Sequence, residues 1–102
     1  MKFIYVTCNV SIVDAVTGLL DSAGFSSFQV TEKVLAKSTR GKPRLDTPVW
    51  PGHNIIINIQ VTDDTSAREL IDRLSSFNKN GVANDDELLT VCSWTLDTYF
   101  FE

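Results

Sequence analysis

The sequence predicts an α+β domain in the order β-α-β-β-α-β. Two observations carry that reading. Four segments are rich in β-branched and aromatic residues or alternate between apolar and polar, while two stretches between them repeat apolar residues at helical spacing. Capping and turn residues stand where one pattern gives way to the other.

Lys2 to Val10 has no helical period and reads as the first strand. Ser11 then offers an N-cap oxygen, with Asp14 placed to reach back as a capping-box acid. Ile12, Ala15, Val16, Leu19 and Leu20 recur at helical spacing, and Gly24 supplies the stop. From Phe25 to about Ser38 the pattern alternates, with Phe28, Val30, Val34 and Ala36 on one side. A partner strand runs from Asn54 to Thr62, where Ile55, Ile57, Ile59 and Val61 alternate with a second set. Asp63, Asp64 and Thr65 start a second helix with an apolar stripe of Ala67, Leu70, Ile71, Leu74 and Phe77. Asn78 to Gly81 reads as its turn-rich stop, and an acidic link, Asn84 to Glu87, leads to a last strand from about Leu88 to Phe100.

Two βαβ crossovers in this order give a four-stranded antiparallel sheet with both helices on one face, the ferredoxin-like arrangement. The 102 residues form one domain, without internal repeat or low-complexity segment. Helices cover one sheet face only, yet both parities of the first and last strands are apolar. Phe3 and Tyr5 oppose Ile4, Val6 and Cys8 in the first strand; Val91 and Tyr99 oppose Cys92, Trp94, Leu96 and Phe100 in the last. A sheet with two apolar faces calls for a second cover, and self-association supplies one.

Composition narrows the function. A net charge of −4 argues against a general nucleic-acid binder. No signal-peptide pattern opens the chain, and no apolar run approaches the ~20 residues of a membrane helix, so the expectation is a cytoplasmic protein without membrane insertion. Cys8 and Cys92 each sit in an apolar strand and read as small buried hydrophobes. With one histidine and no CxxC pair there is no zinc-site spacing.

The charge distribution says more than its sum. Five of nine basic residues, Lys33, Lys37, Arg40, Lys42 and Arg44, fall within twelve positions, while acids gather at Asp63-Asp64 and Asp85-Asp86-Glu87. Residues 39–53 separate the middle strands, far more than the two to five residues of an ordinary hairpin connection. Loops of this kind in short chains are functional or disordered. This one holds all three prolines, Pro43, Pro48 and Pro51, together with Gly41 and Gly52. Arg40, Lys42 and Arg44 suit a phosphate or carboxylate. Trp50 offers a flat surface for an adenine, an aromatic group or a partner protein, or it folds back into a groove between subunits. The expected ligand-binding set is Lys37, Arg40, Gly41, Lys42, Arg44 and Trp50; His53 is the metal candidate.

The chain resembles the PII-like signalling proteins, a superfamily of ferredoxin-like trimers. The likeness rests on Thr31-Glu32-Lys33-Val34, on Gly41 in the loop, and on Ile57-Asn58-Ile59-Gln60-Val61-Thr62-Asp63-Asp64 leading into the second helix. It implies a homotrimer with the sheets packed inward, ligands in clefts between subunits, and a long loop that senses a small anionic effector or a partner such as a transporter or enzyme. The sequence departs from the ATP-binding members of that superfamily. Leu35-Ala36-Lys37 stands in place of a glycine-rich stretch, Asn54 in place of a lysine, and Asn84-Asp85-Asp86-Glu87 in place of a glycine- and lysine-containing phosphate loop. Carboxylates where phosphates should sit repel them, which argues against ATP binding in the usual PII manner.

Other classes fit less well. A CutA-like metal-associated trimer shares the fold and would draw on His53 and Asp85-Asp86-Glu87. An acylphosphatase-like hydrolase needs an arginine-bearing cradle after the first strand, where this chain has Asn9-Val10-Ser11. An RNA-recognition domain needs aromatics on its central strands, and the third strand offers Ile and Asn there. No nucleophile–base pair is legible, so the expectation is a binding protein and not an enzyme.

Overall fold

A computed structural model describes residues 1–101. Its strands are β1 (Lys2–Asn9), β2 (Gln29–Val34), β3 (Asn54–Val61) and β4 (Thr90–Thr95), with helices α1 (Val13–Ser22) and α2 (Asp64–Asn80). Short 3₁₀ turns at Val10–Ile12 and Asp85–Glu87 precede α1 and β4. The strands form one sheet in the order β2-β3-β1-β4, with every neighbouring pair antiparallel. Each crossover thus joins two strands that flank a third, the split βαβ arrangement of the ferredoxin-like fold.

Alternation decides the layering. On β1, Ile4, Val6 and Cys8 face inward; on β3, Ile55, Ile57, Ile59 and Val61 do. These residues meet Val16 and Leu20 of α1 and Ala67, Leu70 and Leu74 of α2 in one core, with Leu89 at its edge. Burying one such aliphatic side chain contributes roughly 1.5–3 kcal/mol, and this continuous layer holds the helices on their single face.

Local chemistry sets the boundaries. At α2, Asp63 is the N-cap and accepts from the amides of Thr65 and Ser66 at 3.3 and 3.1 Å. Those bonds favour the ionised form and hold its carboxyl below the usual range, the Ser66 hydroxyl bond contributing most. The helix continues through Asn78 and Lys79 and ends at Gly81, later than the turn-rich reading of 78–81 expects. Before α1, Asn9 caps the 3₁₀ turn, its side chain accepting from the Ser11 amide; α1 itself starts after Ile12 without a side-chain cap, so Ser11 is a donor in the 3₁₀ turn and not the helix cap. Gly24, at φ 88°, ends α1 as expected.

Two strands are shorter than their apolar patterns. The β2 ladder slips between Thr31 and Val34 and stops there, leaving Leu35 exposed. The β4 strand ends at Thr95 because β1, its only partner, begins at Lys2; Tyr99, Phe100 and Phe101 lie exposed beyond it. Cys8 is buried as expected. Cys92 is exposed, because its parity places it on the sheet face without helices.

That face carries Phe3, Tyr5, Ile56, Asn58, Cys92 and Trp94. The rings of Phe3 and Trp94 stack with centroids 4.7 Å apart, and Trp94 remains 49% exposed. Asn58, opposite Tyr5, has a buried Oδ1 without a hydrogen-bond partner among the described residues.

Candidate functional site

The segment between β2 and β3 is folded into two lobes. Ala36 and Arg44 exchange backbone hydrogen bonds of 2.9 and 2.8 Å, clipping residues 37–43 into a first lobe. The second lobe is a tight turn. The amides of Leu45 and Thr47 donate to the Trp50 carbonyl, Asp46 donates to Gly52, and the Trp50 amide donates to Thr47 Oγ1. Asp46 adopts φ 56°, a conformation that aspartate tolerates better than most residues. Its carboxylate pairs with Lys33 of β2, which holds the carboxyl below its usual range.

The first lobe closes on the acidic turn before β4. Arg40 Nη2 donates to Asp85 Oδ1 at 2.8 Å, with Nε at 3.4 Å from Oδ2. The Lys42 amide donates to Asp86 Oδ1 at 2.8 Å. Arg44 donates to the Asp86 carbonyl, lies 3.5 Å from Asp86 Oδ1, and reaches Asn54 Oδ1 at 3.3 Å. Asn54 in turn donates to Thr7 Oγ1 at 3.4 Å, so Arg44 ties the loop to both central strands. Gly41 makes the close approach possible. It sits at φ 76°, and a Cβ there would stand 2.7 Å from Asp86 Oδ1.

The turn is braced from within and from α2. Asn84 Oδ1 accepts from the Asp86 amide at 2.9 Å, and Glu87 accepts from the Ala83 amide at 3.1 Å. Asn78 brackets Leu89, donating to its carbonyl at 2.9 Å and accepting from its amide at 2.7 Å. Beneath this closure lies a cavity of about 540 Å³, lined among others by Thr7, Arg40, Arg44, Asn54, Asn78, Lys79, Asp85 and Thr90. A smaller one, about 270 Å³, lies on the other side of Arg44, between Lys42, Trp50, Asn9 and Asp86.

This arrangement of strands, helices and middle loop has counterparts among solved structures. A PII-like signaling protein from Thermus thermophilus superposes with a TM-score of 0.65 over 91% of this chain and 83% of its own, at 14% identity. CPII from Thiomonas intermedia, a nitrogen regulatory PII-like protein, gives 0.66 in its complex with ADP and bicarbonate, at 15% identity over 95% and 88% of the two chains. Its apo form gives 0.61, at 15% identity over 91% and 87%. The fold is that of the PII-like signalling proteins. No family model matches the sequence, and a search of the curated proteins gives no match.

Within this PII-like fold, the expected site residues separate into groups. Arg40 and Arg44 line the larger cavity; Lys42, Arg44 and Trp50 line the smaller one; Gly41 lies between them against Asp86. Lys37 is exposed and lines neither. The His53 carbonyl accepts from the Val10 amide, and no group of three or more His, Cys, Asp or Glu side chains able to hold a metal occurs among the described residues. Asp85 and Asp86 stand against the loop, a contact the sequence reading did not foresee. A signal was available: two short clusters of opposite charge about forty-five residues apart. Asn78 and Asn54 were also missed as site residues, because asparagines in a turn-rich stop and at a strand start have many uses. Cys8, behind Arg44, has its thiol pushed up to about 11 by burial, against which the Arg44 charge works, and stays protonated.

Proposed function

We propose that this chain is a PII-like regulatory protein that binds a small anionic effector or a partner protein through loop 39–53. The observation that carries the reading is the convergence of Arg40, the Lys42 amide and Arg44 on one cleft between the loop and the start of β4. Guanidinium forks and a backbone amide are the donors that hold phosphates and carboxylates. Trp50, partly exposed beside Lys42 and Arg44, adds a flat apolar surface to the smaller cavity that adjoins this cleft at Arg44. The role is binding and not catalysis, exercised in the cytoplasm; no helix among the described residues is long and apolar enough to cross a membrane.

The active form in this reading is a homotrimer assembled through the open sheet face. Phe3, Tyr5, Ile56 and Trp94 supply apolar area there, and Asn58 Oδ1 supplies an acceptor that a second copy can satisfy. The loop and its cleft then lie at the subunit borders, where one copy's loop meets the next.

Light scattering with titration calorimetry tests both halves. ADP and bicarbonate belong in the ligand panel because CPII was solved with them, alongside inorganic phosphate and pyrophosphate. A mass of three chains and saturable binding of an anion, weakened in Arg40→Gln, are expected. A monomer indifferent to every anion sinks the reading.

A further inference from the structure

The donors that make the loop an anion site are already engaged. Arg40 grips Asp85 with two nitrogens, while the Lys42 amide and Arg44 hold Asp86. The two carboxylates come from adjacent residues, so the loop presents two neighbouring anion positions, each filled by the chain itself. Gly41 shows how closely the parts fit: a Cβ there would stand 2.7 Å from Asp86 Oδ1, and that oxygen would have to move. We infer that the 84–87 turn is a built-in competitor, an internal anion that an external ligand bearing two adjacent acidic groups, a diphosphate or a dicarboxylate, displaces from Arg40, Lys42 and Arg44. The inference rests on the anion-binding reading of the loop given above.

Three features favour displacement. A guanidinium fork accepts carboxylate and phosphate oxygens alike, so exchange needs no new donor geometry. The outer pair is exposed on both sides, Arg40 at 66% and Asp85 at 57%. Pairs of that kind hold with a factor of roughly 1.5 to 5. The cavity beneath Arg40 and Arg44 has room for a diphosphate and brings Lys79 to the same space. A tethered competitor acts at a millimolar or higher effective concentration, so it sets a threshold below which weak anions do not bind.

Pyrophosphate and malonate are titrated calorimetrically at low salt into the wild-type protein, Asp85→Asn, and Asp85→Asn/Asp86→Asn. A net-charge control, Asp14→Asn/Asp21→Asn on the exposed face of α1, is run in parallel. The double variant is expected to bind at least one of the two ligands about 3- to 30-fold tighter and the single variant about 1.5- to 5-fold tighter, with the control unchanged. If the double variant does not fold, the single variant decides. Binding by the variants alone supports the inference as well. Tightening equal to that of the control overturns it, as does wild-type binding that neither variant improves; in both cases the loop reading survives. Folded proteins that bind neither anion, in any form, overturn both readings together. The ligand that tightens assigns the class.

Discussion

Replacing Arg44 by alanine removes the side chain that joins the loop, the acidic turn and β3. Arg44 is 12% exposed, and it donates to Asn54 Oδ1 and the Asp86 carbonyl besides pairing with the Asp86 carboxylate. Hydrogen bonds from a charged donor contribute about 1.5–3 kcal/mol each. Losing them also strands acceptors in a part-buried setting, while water reaching Asp86 recovers some of the loss. The expected destabilisation is about 2–4 kcal/mol, a large share of the roughly 5–15 kcal/mol that holds a domain of this size. With a urea slope of about 2 kcal/mol per molar, the middle of the usual range, the midpoint should fall by roughly 1–2 M. Arg40 is the internal comparison. It makes its ion pair in open solvent, so Arg40→Ala should cost within about 1 kcal/mol. Urea unfolding of the three proteins at one fixed concentration measures the difference. If Arg44→Ala moves the midpoint no further than Arg40→Ala, the assignment of Arg44 as the tie is wrong.

Gly41 and Gly52 both have positive φ, but only Gly41 has an oxygen where a Cβ would go. Each alanine substitution should therefore cost about 1–2 kcal/mol of backbone strain, with a further loss at Gly41 alone; equal midpoints in urea would remove the close-approach argument. In an assembled trimer neither thiol should react rapidly with DTNB, and Trp94→Glu, which disrupts the open face, should release Cys92 while Cys8 waits for unfolding. Native-state labelling of Cys8, or a fully reactive Cys92 within a trimer, would contradict this. Asp46 and Asp63 both have lowered folded-state pKa values. Their stabilisation is thus present above the ordinary carboxylate range and lost as pH falls through the lowered values. Thermal melts of Asp63→Ala against wild type should converge as the pH drops through that range, and a gap that stays constant would remove Asp63 as a charged cap.

The parts of the fold that were legible in the sequence are those where one local rule acted alone. The β3 strand runs from Asn54 as read, because three isoleucines and a valine, Ile55, Ile57, Ile59 and Val61, in strict alternation have no helical alternative. The start of α2 was legible because Asp63 has cap chemistry and an apolar stripe follows it. The errors arose where partners decide. Residues 35–38 continue an alternating pattern but have no ladder to join once β2 slips at Thr31–Val34. Leu96, Tyr99, Phe100 and Phe101 are apolar, yet past the bond from the Leu96 amide to the Met1 carbonyl there is no residue before β1 to pair with them. Ahead of α1, Ser11 has cap chemistry, but a 3₁₀ turn capped by Asn9 takes up Val10–Ile12, and α1 starts after it without a side-chain cap. The loop's basic residues were legible as a cluster. Their partners were not, because a contact between positions 40–44 and 85–86 leaves no local pattern. The same acids were read as a barrier to phosphate; in the structure they occupy the donors that a phosphate would use.

The position of the acidic turn explains how it could yield without disturbing the sheet. Its ends are fixed independently: α2 terminates at Gly81, whose amide donates to the Phe77 carbonyl at 2.7 Å, and Leu89 is buried and held on both backbone groups by Asn78. Among the described residues, those between these anchors are tied by short-range bonds, Asp86 to Asn84, Ala83 to Glu87 and the turn's own backbone bonds from Glu87 to Asn84 and from Leu88 to Asp85, apart from their contacts with the loop. Releasing Asp85 and Asp86 therefore breaks loop contacts and leaves the β1–β4 ladder intact. The core beneath stays closed, because Leu89, the last core residue before β4, lies on the far side of the Asn78 bracket. A segment with fixed ends, ties that are all local and its charges engaged by a neighbouring loop can shift as a unit within a stable frame. That is the physical requirement for a competitor that must hold the site against weak anions and give way to the right one.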